Sequence, residues 1–177
     1  MKTMKFSSAF VSVLVLSIMF IGCAGPGTTA EANQASAELE RQARAFVAAY
    51  SAHDVDKILS HLSDNVEMIK ADGSSVRGKE AYRKDVELEL KALPDLTMET
   101  ENTFATEDQV CIQWNAKGTE SGAAKGAEAF AGKAVSFRGV TILKVRERKV
   151  VRSCVYYDRA VILAQVGALQ PPQPPRQ

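Results

Sequence analysis

A chain of 177 residues that is 46% hydrophobic and 24% charged has the composition of one ordinary globular domain, which excludes fibrous and disordered classes. Its net charge of +1, with no dense run of Lys and Arg, speaks against a nucleic-acid surface. The most basic stretch, "KVRERKVVR" (144–152), is broken by Glu147 and paired valines and reads as strand, turn and strand.

The first segment reads as an export signal. Lys2 and Lys5 form a charged start, and "AFVSVLVLSIMFI" follows as an apolar run. That run is roughly 13 residues, short of the ~20 that a spanning helix needs. "FIGC" (20–23) resembles the bacterial lipobox, with Phe20 where Leu is usual. The resemblance implies cleavage before Cys23, so residues 1–22 are a signal peptide and Cys23 carries the lipid. Acyl chains there would hold the protein on the membrane of the cell envelope without a spanning helix. Cleavage removes Lys2 and Lys5, leaving 22 − 2 = 20 basic and 21 acidic side chains. Two cysteines then remain, Cys111 and Cys154. Both lie in strand-like runs; we read them as thiols packed in the core, with a disulfide, which export would permit, as the open alternative.

Residues 23–36 are small and polar and are expected to form a flexible tether. Residues 170–177, "QPPQPPRQ", are Pro-rich and are expected to trail as polyproline II. The domain is therefore placed at 37–169.

Within it, "AELERQARAFVAAYSAH" (37–53) spaces Leu39, Ala43, Phe46, Val47 and Tyr50 by three and four, which predicts an amphipathic helix. Asp54 can cap a second helix, 55–62. "NVEMIK" (65–70) reads as a short strand and "ADGSS" as a turn. "GKEAYRKDVELELKAL" (78–93) is a third helix, with Ala81, Tyr82, Val86, Leu90 and Leu93 as its buried side, stopped by Pro94. From Asp95 the period becomes two. Strands are expected at 96–105, 109–120, 133–146 and 149–158, then a short helix at 159–169. Helices segregated from an antiparallel meander mean an α+β fold. Three helices against one curved sheet would make a cone.

Several stretches carry a family resemblance: "LPDL" (93–96), "QVCIQWNAKGTESG" (109–122), "FRGVTILKVRERKVV" (137–151) and above all "VVRSCVYYDRAVILAQVG" (150–167). The chain resembles the SnoaL-like, polyketide-cyclase-like group of the nuclear-transport-factor-2-like superfamily. That implies a cone-shaped pocket for a small apolar or aromatic molecule, and acid–base chemistry of cyclase or isomerase type without metal or cofactor. The matching Asp of such cyclases is Asp158. Two positions depart from the pattern: Cys154 stands where Trp is usual, and Glu120 where His often follows Gly-Thr.

On alternation, 154, 156 and 158 share one strand face, so Cys154 and Tyr156 would surround Asp158 with apolar atoms. Asp158 also stands where a helix cap is needed, and both readings remain open. Phe46, Tyr50, Trp114, Phe137, Cys154 and Tyr156 are the candidate pocket walls, with ordinary core packing as the alternative. His53 and His61 are the only imidazoles, and neither has a partner at metal-ligand spacing. A second reading is a non-catalytic binding or assembly module. It would dimerise through the open sheet face and partly bury Gln113, Thr141 and Lys144.

Overall fold

The structure is a computed structural model, and it describes residues 29–124 and 126–169. The signal, Cys23 and the tail from 170 lie outside the described residues.

Helix α1 (Thr29–Ser51) begins inside the stretch expected as tether, because no Gly or Pro interrupts the run between Thr29 and Ser51. Its buried residues are Ala43, Phe46, Val47, Ala49 and Tyr50, the face that the spacing predicts. Ser51 ends it by bonding both ways to the backbone of Met98: the hydroxyl donates to the carbonyl at 2.6 Å and accepts from the N–H at 2.7 Å. His53 takes a left-handed backbone, φ 54°, and its Nε2 sits 2.8 Å from the Leu96 carbonyl oxygen. Asp54 caps α2 (Val55–Ser60) by accepting from the Lys57 N–H at 2.8 Å, as its position predicts.

Strand β1 (Leu62–Ile69) starts three residues earlier than the pattern predicts, with Leu62 and Val66 fully buried. A turn at Asp72–Gly73 returns the chain as a short β2 (Ser75–Arg77), a strand the sequence reading does not predict. Helix α3 (Lys79–Ala92) follows. Then come β3 (Thr97–Ala105), β4 (Gln109–Thr119), β5 (Ala134–Arg146), β6 (Lys149–Tyr157) and α4 (Arg159–Gln165). A single 3-10 turn at Glu128–Phe130 lies in the Ala- and Gly-rich connection before β5.

The result is the α+β fold the pattern predicts. One six-stranded sheet runs in the order β2-β1-β6-β5-β4-β3. All pairs are antiparallel except β1 with β6. Irregular register at Leu62/Glu67, Thr100/Asn102 and Lys144/Val145 bends the strands, as bulges do. The bent sheet wraps its inner face around α1 and α3, and the apolar core fills the space between.

Gly139 is where the inner face closes. It pairs with Trp114 across β4–β5, and a Cβ there would come within 2.3 Å of the indole and 2.8 Å of the Tyr156 carbonyl oxygen. The missing side chain is what lets the indole lie flat over β5. Trp114 then donates from Nε1 to the buried Thr141 hydroxyl at 2.9 Å.

Cys111 and Cys154 are free and half-buried. Both pair in register with Ile142, one from each side of β5, on the outer sheet face. Two strand spacings separate them by about 9–10 Å. A disulfide needs Cα atoms within about 7 Å, so this geometry leaves two thiols. They lie on the outer face rather than in the core.

Candidate functional site

The inner face of the cone leaves a cavity of about 60 Å³ that side chains do not fill. A water needs roughly 10–15 Å³ on this measure, so the space admits several waters or one small apolar group. Phe46 and Tyr50 come from α1, Trp114 from β4 and Phe137 from β5. Those are four of the six pocket walls expected from sequence. The rings hold each other: Trp114 meets Phe137 edge-on at 5.8 Å between centroids, and Phe46 meets Tyr50 at 5.3 Å.

The other two expected walls, Cys154 and Tyr156, point away. Register sets this: Leu143, Thr141 and Gly139 on the inner face of β5 pair with Ser153, Val155 and Tyr157. The cavity-lining face of β6 is therefore 153, 155 and 157. The expectation of 154, 156 and 158 is displaced by one residue, which turns every side chain to the opposite face. Tyr156 is 54% exposed on the outer face. Asp158 is exposed as well. It caps α4, its carboxylate accepting from the Ala160 N–H at 2.8 Å, and it borders an outer groove with Arg138 and Tyr156 instead of the cavity. Glu120 lies just past the end of β4 and does not line the cavity, though partial burial raises its pKa.

The carboxylate that does reach the cavity is Glu89, on the last turns of α3. It also lines an outer cleft of about 360 Å³, bordered by Lys70, Asp72, Asp85, Leu88 and Arg159. Cavity and cleft share Met68, Glu89, Val155 and Tyr157, which form the throat between them. Glu89 is exposed, and it lines both the cavity and the cleft. Desolvation there pushes its carboxyl up to about 7. The Asp85 charge adds to the rise, and Lys70 opposes it. Lys70 is held at 2.7 Å by Asp85 and cannot neutralise Glu89 fully.

Three phenols feel the Glu89 charge: Tyr50, Tyr82 and Tyr157. The hydroxyls of Tyr50 and Tyr82 lie 3.3 Å apart deep in the core. Burial raises both, Tyr82 to about 12, so both stay protonated at neutral pH. Ser153 Oγ is fully buried beside them, with no hydrogen bond of normal geometry to the described residues. Of the two imidazoles, His53 ties the end of α1 to Leu96. His61 packs edge-on to Phe46 at 5.9 Å, and burial lowers its pKa. Neither lines the main cavity.

A carboxylate with a near-neutral pKa at the throat of an aromatic cavity is equipped to take and return a proton. Comparison with known proteins gives this arrangement a family. Residues 40–166 match the SnoaL-like polyketide cyclase family. The chain belongs to that family. Among solved structures, this SnoaL-like chain is similar to AclR, a candidate hydroxylase from Streptomyces galilaeus. The two are 28% identical with a TM-score of 0.67, over 76% of this chain and 99% of that one. It is also similar in fold to TsrD from Streptomyces laurentii, at 19% identity and TM-score 0.65, covering 75% of this chain and 97% of that one. An LEH-like epoxide hydrolase from M. tuberculosis shares the fold at 14% identity and TM-score 0.61, over 75% and 92% of the two chains. No curated protein matches the chain. The SnoaL-like cone thus carries its inward carboxylate on α3 in this chain, where the sequence pattern points to the end of β6.

Proposed function

We propose that this SnoaL-like protein binds a small apolar or aromatic molecule in its cone. We also propose that it performs cofactor-free acid–base chemistry of cyclase or isomerase type there, with Glu89 as the proton-transferring group. The observation that carries the reading is the placement of Glu89 at the throat shared by the aromatic cavity and the outer cleft. The cavity would take an apolar group, and the cleft has the size of a ligand site. Family membership supports ligand binding or cyclase- and isomerase-like chemistry as the class of activity.

The test is exchange of the α-hydrogens of cyclopentanone in D2O by the full chain, followed by proton NMR. Wild type is expected to exchange them faster than buffer. Glu89→Gln should lose that acceleration, and Asp158→Asn should keep it, since Asn serves equally well as a helix cap. Acceleration that survives in Glu89→Gln, or disappears in Asp158→Asn, contradicts the assignment.

The address is also proposed. Lys2, Lys5, the apolar run and Gly22-Cys23 support export and lipid anchoring at Cys23 in the cell envelope. A homodimer through the outer sheet face is the second element of the proposal. Its support is the exposed apolar surface there: Phe104, 53% exposed, Tyr156 and Ile142. Gln113 and Lys144 belong to that face. Thr141 does not, since it is buried on the inner side beneath Trp114.

A further inference from the structure

Six aromatic side chains line the cavity: Phe46, Tyr50, Tyr82, Trp114, Phe137 and Tyr157. Glu89 is the one charged residue of its described lining, and no Lys, Arg or His joins it there. We propose that the cone binds a small alkylated ammonium ion, with its methyl groups against the rings and its charge facing Glu89. This goes beyond the reading of the cavity as a site for a neutral apolar molecule. It rests on the cavity as a ligand site, and on no proton transfer at Glu89.

The charge at the mouth favours a cation. The outer cleft carries three carboxylates, Asp72, Asp85 and Glu89, against two cations, Lys70 and Arg159. Both cations are engaged, Lys70 with Asp85 at 2.7 Å and Arg159 with Asp72 at 3.6 Å. Glu89 makes no ion pair among the described residues, so its charge is the one left uncompensated.

The rings supply the rest. A positive charge is attracted to an aromatic face, most strongly to that of Trp. Trp114 rests on Gly139, and its other side lines the cavity. Phe137 stands at 84° to Trp114 and at 47° to Tyr157, with centroids 5.8 and 5.3 Å away. Walls inclined to one another suit a rounded head such as trimethylammonium. The lining also disfavours N–H groups. Trp114 donates to Thr141 at 2.9 Å, and the Tyr50 and Tyr82 hydroxyls lie 3.3 Å apart. Such a wall offers few acceptors to the three donors of a primary ammonium, and a quaternary one brings none.

Binding should strengthen as Glu89 ionises, and desolvation places that step at about 7. The charged and titratable groups around it are Asp85 on the same helix, Lys70 and Asp72 beyond β1, Tyr157 on β6 and Arg159 on α4. Burial keeps the Tyr157 phenol protonated, and the hydrogen bond to Asp85 keeps Lys70 charged. Neither His53 nor His61 lines the cavity or the cleft.

The full chain is to be titrated with choline and with 3,3-dimethylbutan-1-ol, its uncharged carbon isostere, at matched ionic strength. Trp114 is the single tryptophan, so its fluorescence reports on the proposed contact. At about pH 8.5 choline should give a saturable change and bind roughly ten-fold tighter than the isostere, as a desolvated cation on such faces does. At about pH 6 only about one Glu89 carboxyl in ten is ionised, so choline affinity should fall up to about ten-fold while the isostere's holds. Glu89→Gln should weaken choline at the higher pH and abolish the pH dependence. Equal affinities for the two compounds at the higher pH overturn the inference. So does the absence of saturable choline binding, or a choline affinity indifferent to both pH and Glu89→Gln. Binding of the isostere alone overturns the cation and leaves the cone standing as a site for neutral apolar ligands. Choline binding without exchange of the cyclopentanone α-hydrogens sustains the cation and contradicts only the acid–base reading of Glu89.

Discussion

Glu89 occupies a helix position that its own sequence context marks. Tyr82, Val86, Glu89 and Leu93 follow one another at four, three and four, so Glu89 shares the cavity-facing row of α3 while its own side chain stays exposed at the mouth. Leu88 next to it is 67% exposed, which shows how the helix is turned. A charged residue in register with a buried apolar row was the available signal, and attention to the apolar residues alone passes over it. The placement has a consequence for stability. The folded pKa of about 7 lies above the ordinary 4.5, so folding favours the protonated form. The stabilisation is fully present below pH 4.5 and is lost as pH rises through about 7. Glu89→Gln removes this dependence. Its melting temperature should gain on that of wild type between those two pH values, measured side by side in the same buffers. Parallel melting curves across that range would contradict a desolvated carboxyl.

At the scale of elements, period and punctuation made most of the fold legible. The three-and-four spacing of α1, the Asp54 cap and the long two-period strands β4 and β5 are each predicted by residues that pack as expected. Strand β6 was legible in extent but not in facing. "SCVYYD" carries apolar or aromatic side chains on both faces, so alternation gives no answer. Pairing with β5 supplies it, because Gly139 must face Trp114 and its partner Tyr157 must follow. The close approach at Gly139 makes this joint sensitive. Gly139→Ala forces a methyl against the indole and should cost about 1–3 kcal/mol, as overpacking commonly does. Urea denaturation of the variant measures it, and tryptophan fluorescence should report the displaced ring. A variant as stable as wild type would mean that Trp114 yields freely and does not set the cavity wall.

The whole molecule separates three tasks. The inner face of the sheet makes the cavity, the outer face presents apolar surface, and the N-terminal segment supplies the proposed anchor. The outer face sets Phe104, Cys111, Ile142 and Cys154 in one row across four strands. An exposed row of this kind is suited to covering by a second copy. Sedimentation should find wild type dimeric at micromolar concentration and Ile142→Lys shifted to monomer, with the fold retained by circular dichroism. A monomeric wild type would remove the dimer and leave the cavity reading untouched. The reading of the cone as a reaction site depends on one property, a throat carboxyl that changes charge near neutrality. The most direct measurement is a 13C NMR titration of the Glu89 side-chain carboxyl in the full chain. The account predicts a midpoint at about 7, displaced by carbonyl ligands in the cavity. A midpoint near the ordinary 4.5, unmoved by ligand, would contradict it.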